Sequence, residues 1–273
     1  MSAARDVDPR SSARVHVALS HRLTLVVAAP GWGKTTLLRT LASAAPAVAV
    51  ARPPAGWTPF SLARQLVDQL VPAARADELL PARLAPDSAD HHGQSGALAA
   101  AVCRAAAAAT DSDMLVVVDD ADVEEADPLR DFLEALVMHL PPQLHLVLAS
   151  RRPPPLRIAR LRAAGEVARI DEHDLAITGA DMAGLDRDQQ RAVDAIASAT
   201  GGWPLAVQLA AELGRRGGPL DHDAIVDRLL DRHAVLFEYL AEEVVAQASE
   251  AERELLAIAA HAPFVDAQVL TWL

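Results

Sequence analysis

The chain alternates short, largely apolar runs with longer segments in which apolar residues recur at helical spacing. Runs that are apolar on both faces are typical of parallel strands covered by helices on both sides. Because helical segments separate most of these runs, the pattern predicts an α/β fold with a parallel sheet flanked by helices. The runs predicted to be strands are residues 23–27, 47–51, 114–118, 144–149 and 166–170.

After about residue 175 the pattern changes to helical segments only. Glycine and proline interrupt these segments at residues 201–202 and 217–219. We therefore expect a sheet domain over residues 1–175, followed closely by a helical part. The helices predicted there are residues 186–198, 204–213, 225–230, 236–246 and 250–260.

The turn after the first predicted strand has the composition of a phosphate loop. Gly33, Lys34 and Thr35 match the end of the pattern G-x-x-x-x-G-K-[ST], whereas Ala28 replaces the first glycine. In such a loop, backbone N–H groups and a helix N-terminus hold phosphate. We expect Lys34 to reach the β- and γ-phosphates and the Thr35 hydroxyl to bind Mg²⁺. The predicted nucleotide-binding residues of the loop are Pro30, Gly31, Trp32, Gly33, Lys34, Thr35 and Thr36.

Lys34 is also the only lysine of the chain, since the other 24 of the 25 basic residues are arginine. An ammonium is compact, whereas a guanidinium is planar and larger. We interpret the single lysine as a position where the chemistry requires the smaller cation.

Two adjacent carboxylates, Asp119 and Asp120, follow the apolar run 114–118. The carboxyl ends of parallel strands form the edge at which open α/β sheets bind ligands. We expect Asp119 to hold Mg²⁺, directly or through water, and Asp120 to orient or deprotonate the attacking water. An acidic turn without chemical function is the alternative, and the phosphate loop in the same chain argues against it.

Arg151 follows the apolar run 144–149 and is expected at the same edge of the sheet. A guanidinium there could contact the γ-phosphate or stabilise the charge that moves during phosphoryl transfer. The alternative is an arginine exposed at the surface with no contact to the nucleotide.

Composition restricts the possible partners. The net charge is −12, and residues 166–273 carry all of the excess, with 8 basic and 20 acidic residues. An acidic surface repels phosphate backbones, so we expect DNA contact only through a module absent from this chain. With no apolar run long enough for a membrane helix and no signal peptide at the N-terminus, we expect a soluble, cytoplasmic protein.

Four stretches together resemble a known family. They are AAPGWGKTTLL, VVVDD, LVLASRRPPPLRIARLR and TGGWPLAVQLAAELG, in this order. The chain is similar over residues 20–273 to the nucleotide-binding region of MalT-like, large ATP-binding LuxR-type regulators, a branch of the STAND class of P-loop ATPases. The phosphate loop alone would not distinguish this family, and the S-R-x-P-P-x-L and G-W stretches are its more specific features.

The resemblance implies an AAA+-related sheet in which the strands before Asp119 and Arg151 lie on the same side of the phosphate-loop strand. It also implies three domains: a nucleotide-binding P-loop domain (1–175), a helical domain (176–233) and an incomplete winged-helix region (234–273). Lys34 and Arg151 would act with Asp120 in catalysis, and Thr35 with Asp119 in metal binding. Pro204 would lie against the adenine of ATP or ADP.

Proteins of this class are slow, Mg²⁺-dependent ATPases that act as regulatory switches, and they self-associate in the ATP state. The residues leave two other functions open. One is a small-molecule phosphotransferase, since G-K-T-T loops also occur in kinases; the other is a nucleotide-binding interaction module without hydrolysis. The carboxylates and Arg151 argue against the second, and no arginine-rich lid supports the first.

Overall fold

The computed structural model describes residues 9–52, 57–80, 91–182 and 184–217, together with residues 250, 253, 254 and 257. The chain forms two compact units, residues 1–175 and 176–273. The predicted helical domain (176–233) and winged-helix region (234–273) remain predictions, because nearly all of residues 218–273 lies outside the described part of the chain.

The first unit alternates strands and helices, as the apolar pattern predicts. Its strands are β1 (Leu23–Val27), β2 (Val48–Ala51), β3 (Met114–Val118), β4 (Leu144–Ser150) and β5 (Val167–Ile170). Its helices are α1 (Pro9–Ser20), α2 (Lys34–Ala44), α3 (Pro59–Leu70), α4 (Ala73–Leu79), α5 (His91–Ala109), α6 (Pro128–His139), α7 (Ala159–Ala163) and α8 (Glu172–Leu175).

The five strands form one parallel sheet in the order β2-β3-β4-β1-β5. β4 lies between β1 and β3, so the strands that precede Asp119 and Arg151 lie on one side of the phosphate-loop strand. Val27 pairs with Ser150, and Val118 pairs with Leu148. The three strands therefore end at the same edge, and the fold class predicted from the sequence is confirmed.

Alternate residues of the strands pack against helices on opposite faces of the sheet. Leu23, Leu25 and Val27 belong to the larger apolar core, which contains side chains of α3, α4, α5 and α6. Val26 belongs to the other core, with side chains of α1 and α2. Both faces of β1 are thus covered by apolar side chains, so the end of the strand, where the loop begins, is fixed in position.

The described part of the second unit is helical. It contains a 3₁₀ turn (Gly179–Asp181), α9 (Arg187–Ala199) and α10 (Pro204–Gly217). Asp186 caps α9 by accepting hydrogen bonds from the N–H groups of Asp188 and Gln189. α9 and α10 share a small apolar core. None of the described helices has the length and apolar character needed to cross a bilayer.

Candidate functional site

The loop between β1 and α2 has the backbone shape of a phosphate loop. Gly31 and Gly33 have φ values of 78° and 80°, a region that glycine adopts without strain. The Leu37 N–H donates to the Gly33 carbonyl (2.9 Å), so α2 begins directly after Gly33. The N–H groups of the first helical turn have no acceptor within the helix and are available to an anion. A Cβ at Gly33 would meet nothing within 4 Å, so conformation and not space favours glycine there.

Ala28 attaches the loop to the sheet, and the other loop residues lie in the turn or at the start of α2. Ala28, which replaces the first glycine of the motif, is buried, and its φ is not positive, so alanine fits. Its N–H donates to the Ser150 carbonyl (3.2 Å) and extends the pairing of β1 with β4. Trp32 packs partly buried against the core that contains α1 and α2, while Thr36 is exposed in α2. Pro30 lies in the turn between Ala28 and Gly31.

Lys34 is buried, with 9% of its surface exposed. Its ammonium donates to the carbonyls of Ala28 (2.6 Å) and Ala29 (3.2 Å). Burial lowers the pKa of Lys34; the negative charges of Asp122, Asp120 and Asp119 act against this change, and the positive charge of Arg151 adds to it. The ammonium therefore lies within range of charged groups that follow β3 and β4.

Thr35 and Asp119 meet across the loop, as the metal-site prediction requires. The Thr35 hydroxyl donates to Asp119 Oδ2 at 2.9 Å. Asp119 is buried, and its other oxygen accepts a hydrogen bond from the Asp120 N–H (3.0 Å). Its own N–H donates to the Ala51 carbonyl (2.8 Å), so the residue is attached to β2 as well.

Asp120 is strained and ion-paired. In the described part of the chain, Asp120 is the one non-glycine residue with a positive φ (53°). Such backbone conformations are concentrated at functional sites. Its Oδ2 accepts a hydrogen bond from Arg52 Nε at 2.6 Å, and this bond raises the pKa of Arg52. Arg52 lies directly after β2, and the sequence did not single it out. Its position after a predicted strand was the signal available.

Arg151 lies directly after β4 and is held by Asp122. The Arg151 N–H donates to Asp122 Oδ1 (2.7 Å), and Arg151 Nε lies 3.9 Å from Asp122 Oδ2. Asp122 is a second residue that the sequence reasoning missed, although it stands two positions after Asp120 in the same acidic segment.

Glu172 reaches the loop from the amino-terminal end of α8. Its carboxylate accepts a hydrogen bond from the Ala29 N–H at 2.9 Å. Ala29 is also one of the residues whose carbonyl accepts from Lys34. Glu172 was not predicted, although it stands two positions after the strand that ends at Ile170.

Pro204 belongs to the second unit, where it is buried at the first position of α10. Gly201 and Gly202, with φ values of 65° and 79°, shape the turn before it. The Gly202 carbonyl accepts a hydrogen bond from the Ile177 N–H (3.0 Å), which ties the turn to the start of the unit. The predicted contact of Pro204 with adenine remains a prediction.

The edge of the sheet thus gathers Lys34, Thr35, Asp119, Asp120 and Arg151. A hydroxyl and a carboxylate oxygen 2.9 Å apart are oxygen donors of the kind that Mg²⁺ takes in phosphate sites, so Thr35 and Asp119 fit this metal. Backbone N–H groups and an ammonium beside them suit a polyphosphate. The arrangement can bind a nucleotide with its metal and stabilise charge on a terminal phosphate.

Comparisons with known proteins identify the family of the chain. A family model described as an AAA ATPase domain matches residues 13–149, just over half of the chain. The HTH-type transcriptional regulator MalT of Vibrio parahaemolyticus is 28% identical over 138 residues, which are 47% of this chain and 15% of that protein. MalT of Vibrio cholerae is 30% identical over 137 residues, with the same coverage. The match therefore spans only a small part of the length of these relatives.

Two solved structures overlay on most of this chain. The Walker-type ATPase of Pyrococcus abyssi has a TM-score of 0.48 at 13% identity, covering 96% of this chain and 86% of that one. A STAND protein with a tetratricopeptide repeat sensor from Pyrococcus horikoshii has a TM-score of 0.39 at 14% identity, covering 96% and 36%. With the family match, the MalT similarity and the site geometry together, the chain belongs to the AAA ATPase domain family and carries a MalT-like P-loop ATPase region.

Proposed function

We propose that this nucleotide-binding ATPase module binds ATP and ADP and hydrolyses ATP slowly, as the switch of a STAND-type signalling or transcriptional regulator. The observation that carries the proposal is the contact of Thr35 with Asp119 (2.9 Å) beside the buried Lys34. A structural role alone does not require a buried ammonium, a hydroxyl and a carboxylate at the mouth of a glycine-rich loop. Membership of an ATPase family supplies the reaction type.

The loop and Lys34 would bind the phosphate chain. The N–H groups at the start of α2 and the ammonium would contact the β- and γ-phosphate oxygens. Thr35 Oγ1 and Asp119 would hold Mg²⁺, which when bound neutralises charge on those oxygens. Lys34 would exchange its hydrogen bonds to Ala28 and Ala29 for bonds to phosphate, so the free loop already holds the ammonium within reach of the site.

Asp120 would orient the attacking water and accept its proton at a carboxylate oxygen. In the structure Arg52 donates to that carboxylate at 2.6 Å. The lone pair of Asp120 Oδ2 that accepts from Arg52 is not available to the attacking water. We infer that this oxygen must leave Arg52 before it can accept a proton, and this requirement favours slow hydrolysis.

The switch would depend on contacts that differ between the two nucleotides. Arg151 would contact the γ-phosphate, and Pro204 would contact the adenine. Because the γ-phosphate contact exists with ATP and is lost with ADP, the nucleotide can favour one of two conformations. We expect a cytoplasmic protein that self-associates in the ATP state and reaches DNA only through another module.

Analysis of the nucleotide that copurifies, followed by turnover assays, tests the proposal. We expect bound ADP in the purified protein and slow, Mg²⁺-dependent phosphate release. Asp120→Ala should keep nucleotide affinity within about twofold of the wild type and lower turnover by about 100-fold, which is a typical rate contribution of a general base. Rapid phosphate transfer to a metabolite would replace the switch by a phosphotransferase, and tight binding with no turnover would leave an interaction module.

A further inference from the structure

Asp122 lies in a turn that is attached to the end of β4. The N–H of Ala121 donates to the Ala149 carbonyl at 2.7 Å, so the pairing of β3 with β4 continues beyond the last residue of β3. Asp122 follows Ala121, and Arg151 stands two residues after Ala149. The bond between Ala121 and Ala149 therefore brings Asp122 beside Arg151. The position of Asp122 is therefore set by the sheet and not by a long loop.

Both oxygens of the Asp122 carboxylate face Arg151. Oδ1 accepts the Arg151 N–H at 2.7 Å, and Oδ2 lies 3.9 Å from the Arg151 Nε. The first contact fixes the direction in which the chain leaves β4, and the second, longer than a hydrogen bond, is an ion-pair distance at which the carboxylate attracts the guanidinium. One carboxylate thus constrains the backbone and the side chain of the same residue.

The Asp122 and Arg151 side chains are 37% and 36% exposed, so water screens their attraction. An ion pair with this exposure contributes little to the stability of a fold. Both charges nevertheless act on the buried Lys34, Asp122 by stabilising the ammonium and Arg151 by opposing it. The pair therefore lies close to the phosphate-binding cation, where its geometry matters more than its stabilising energy.

We propose that Asp122 is the positioning residue for Arg151: it holds the guanidinium at the edge of the sheet, on the side of Lys34, in the orientation that contacts the γ-phosphate. The proposal rests on the proposed function, in which Arg151 senses that phosphate. The further inference adds Asp122 as the residue that orients Arg151 before the nucleotide binds. Restricting a long side chain in advance lowers the entropy lost when it contacts its ligand.

The test compares Asp122→Ala, Asp122→Asn, Arg151→Ala and the Asp122→Ala/Arg151→Ala double variant in the full chain. Turnover at saturating ATP and the dissociation constants for ATP and ADP are measured for each. Glu125→Ala is the matched control, since it removes an exposed acid from the same segment. Circular dichroism and thermal melting check that each variant is folded.

We expect Asp122→Ala to lower turnover by about tenfold and the preference for ATP over ADP by about tenfold. Small misplacements of a group that contacts the transition state have effects of this size or larger. ADP affinity should stay within about twofold of the wild type. Asp122→Asn keeps an acceptor for the Arg151 N–H and should recover part of the loss. In its preference for ATP over ADP, the double variant should match Arg151→Ala, because Asp122 is proposed to set this preference through Arg151.

Wild-type behaviour of Asp122→Ala, or additive losses in the double variant, would overturn the inference. If Asp122→Ala does not fold, Asp122→Asn decides, and a preference for ATP equal to the wild type would then overturn it. Failure of the proposed function has a different signature, namely a wild-type protein that binds ATP without turnover. The ratio of the ATP and ADP dissociation constants still tests Asp122 in that case.

Discussion

Lys34 shows how a side chain of the candidate site can oppose folding. Its pKa is lowered by burial, so the folded chain disfavours the charged form relative to the unfolded chain, whose lysine has a pKa of 10.5. The penalty is present at neutral pH and disappears as the pH rises above 10.5. A bound phosphate would offset it by supplying negative charge. The chain tolerates the penalty where the nucleotide would bind, as expected for a binding residue.

Cys103 allows an independent test of the structure at the scale of one residue. It is a free cysteine in α5, partly buried, and its thiol contacts the His139 carbonyl (3.5 Å). Burial raises the pKa of this thiol to about 11. At pH 8 only on the order of a thousandth of the thiol is ionised, so we expect very slow reaction with a disulfide reagent.

The same assay in denaturing urea provides the control for Cys103. There the thiol should react at the rate of a model peptide, since its pKa returns to the ordinary range. As the pH rises toward 11, the folded protein should react faster. Equal rates in the folded and unfolded protein at pH 8 would show that this part of α5 is not packed as described.

Residue patterns predicted Thr35, Asp119 and Lys34 because each belongs to a short motif with a known mechanism. They did not predict Arg52, Asp122 or Glu172. The contacts of these residues depend on which strands are neighbours and on how the turns after them bend, and a single sequence carries little information on either. A simple rule would have found all three: polar residues that closely follow any parallel strand are candidates for the same edge.

At the scale of elements, strand positions were predicted closely and strand order was not derivable from the apolar pattern. β1 and β3 have the predicted bounds, and the other strands differ by one residue at one end. The resemblance to the family implied only that β3 and β4 lie on the same side of β1. Periodicity shows which residues are buried and not which strands pair.

The edge strand β2 illustrates a feature that only the structure shows. The side-chain amide of Gln69, in α3, accepts a hydrogen bond from the Val50 N–H (3.0 Å) and donates one to the Val50 carbonyl (2.8 Å). It therefore occupies backbone groups that a further strand would otherwise pair with. Covering an edge in this way limits association of sheets between molecules.

The turn that connects α9 and α10 gives a prediction at this scale. A Cβ at Gly202 would lie 2.8 Å from the Ala176 Cβ and 2.9 Å from the Ile177 carbonyl, and the residue also has positive φ. Gly202→Ala should therefore combine backbone strain of about 1–2 kcal/mol with overpacking of about 1–3 kcal/mol. Urea denaturation measures the resulting loss in free energy of unfolding.

Gly201→Ala is the matched control for this prediction. Gly201 also has positive φ, but an added Cβ would meet nothing within 4 Å. Its substitution should lower the free energy of unfolding by the strain alone, about 1–2 kcal/mol. Equal losses for the two variants would contradict the packing described for the turn against residues 176–177.

At the scale of the whole molecule, charge separates the two parts of the chain. Residues 1–165 have 17 basic and 17 acidic residues, whereas residues 166–273 have 8 and 20. The balanced part contains the candidate site, where Arg52 pairs with Asp120 and Arg151 with Asp122 across neighbouring strand ends. The acidic part is unsuited to direct contact with DNA, so a regulatory role would act through other segments or partners.

The central claim is that the edge formed by β1, β3 and β4 binds a nucleotide through Lys34. Calorimetric titration of Mg·ATP and Mg·ADP into the wild type, Lys34→Ala and Lys34→Arg tests it most directly. We predict that the wild type binds both nucleotides and that either substitution weakens affinity by at least about 100-fold, because charge-assisted hydrogen bonds are lost or misplaced. Affinity in Lys34→Ala equal to that of the wild type would contradict the account.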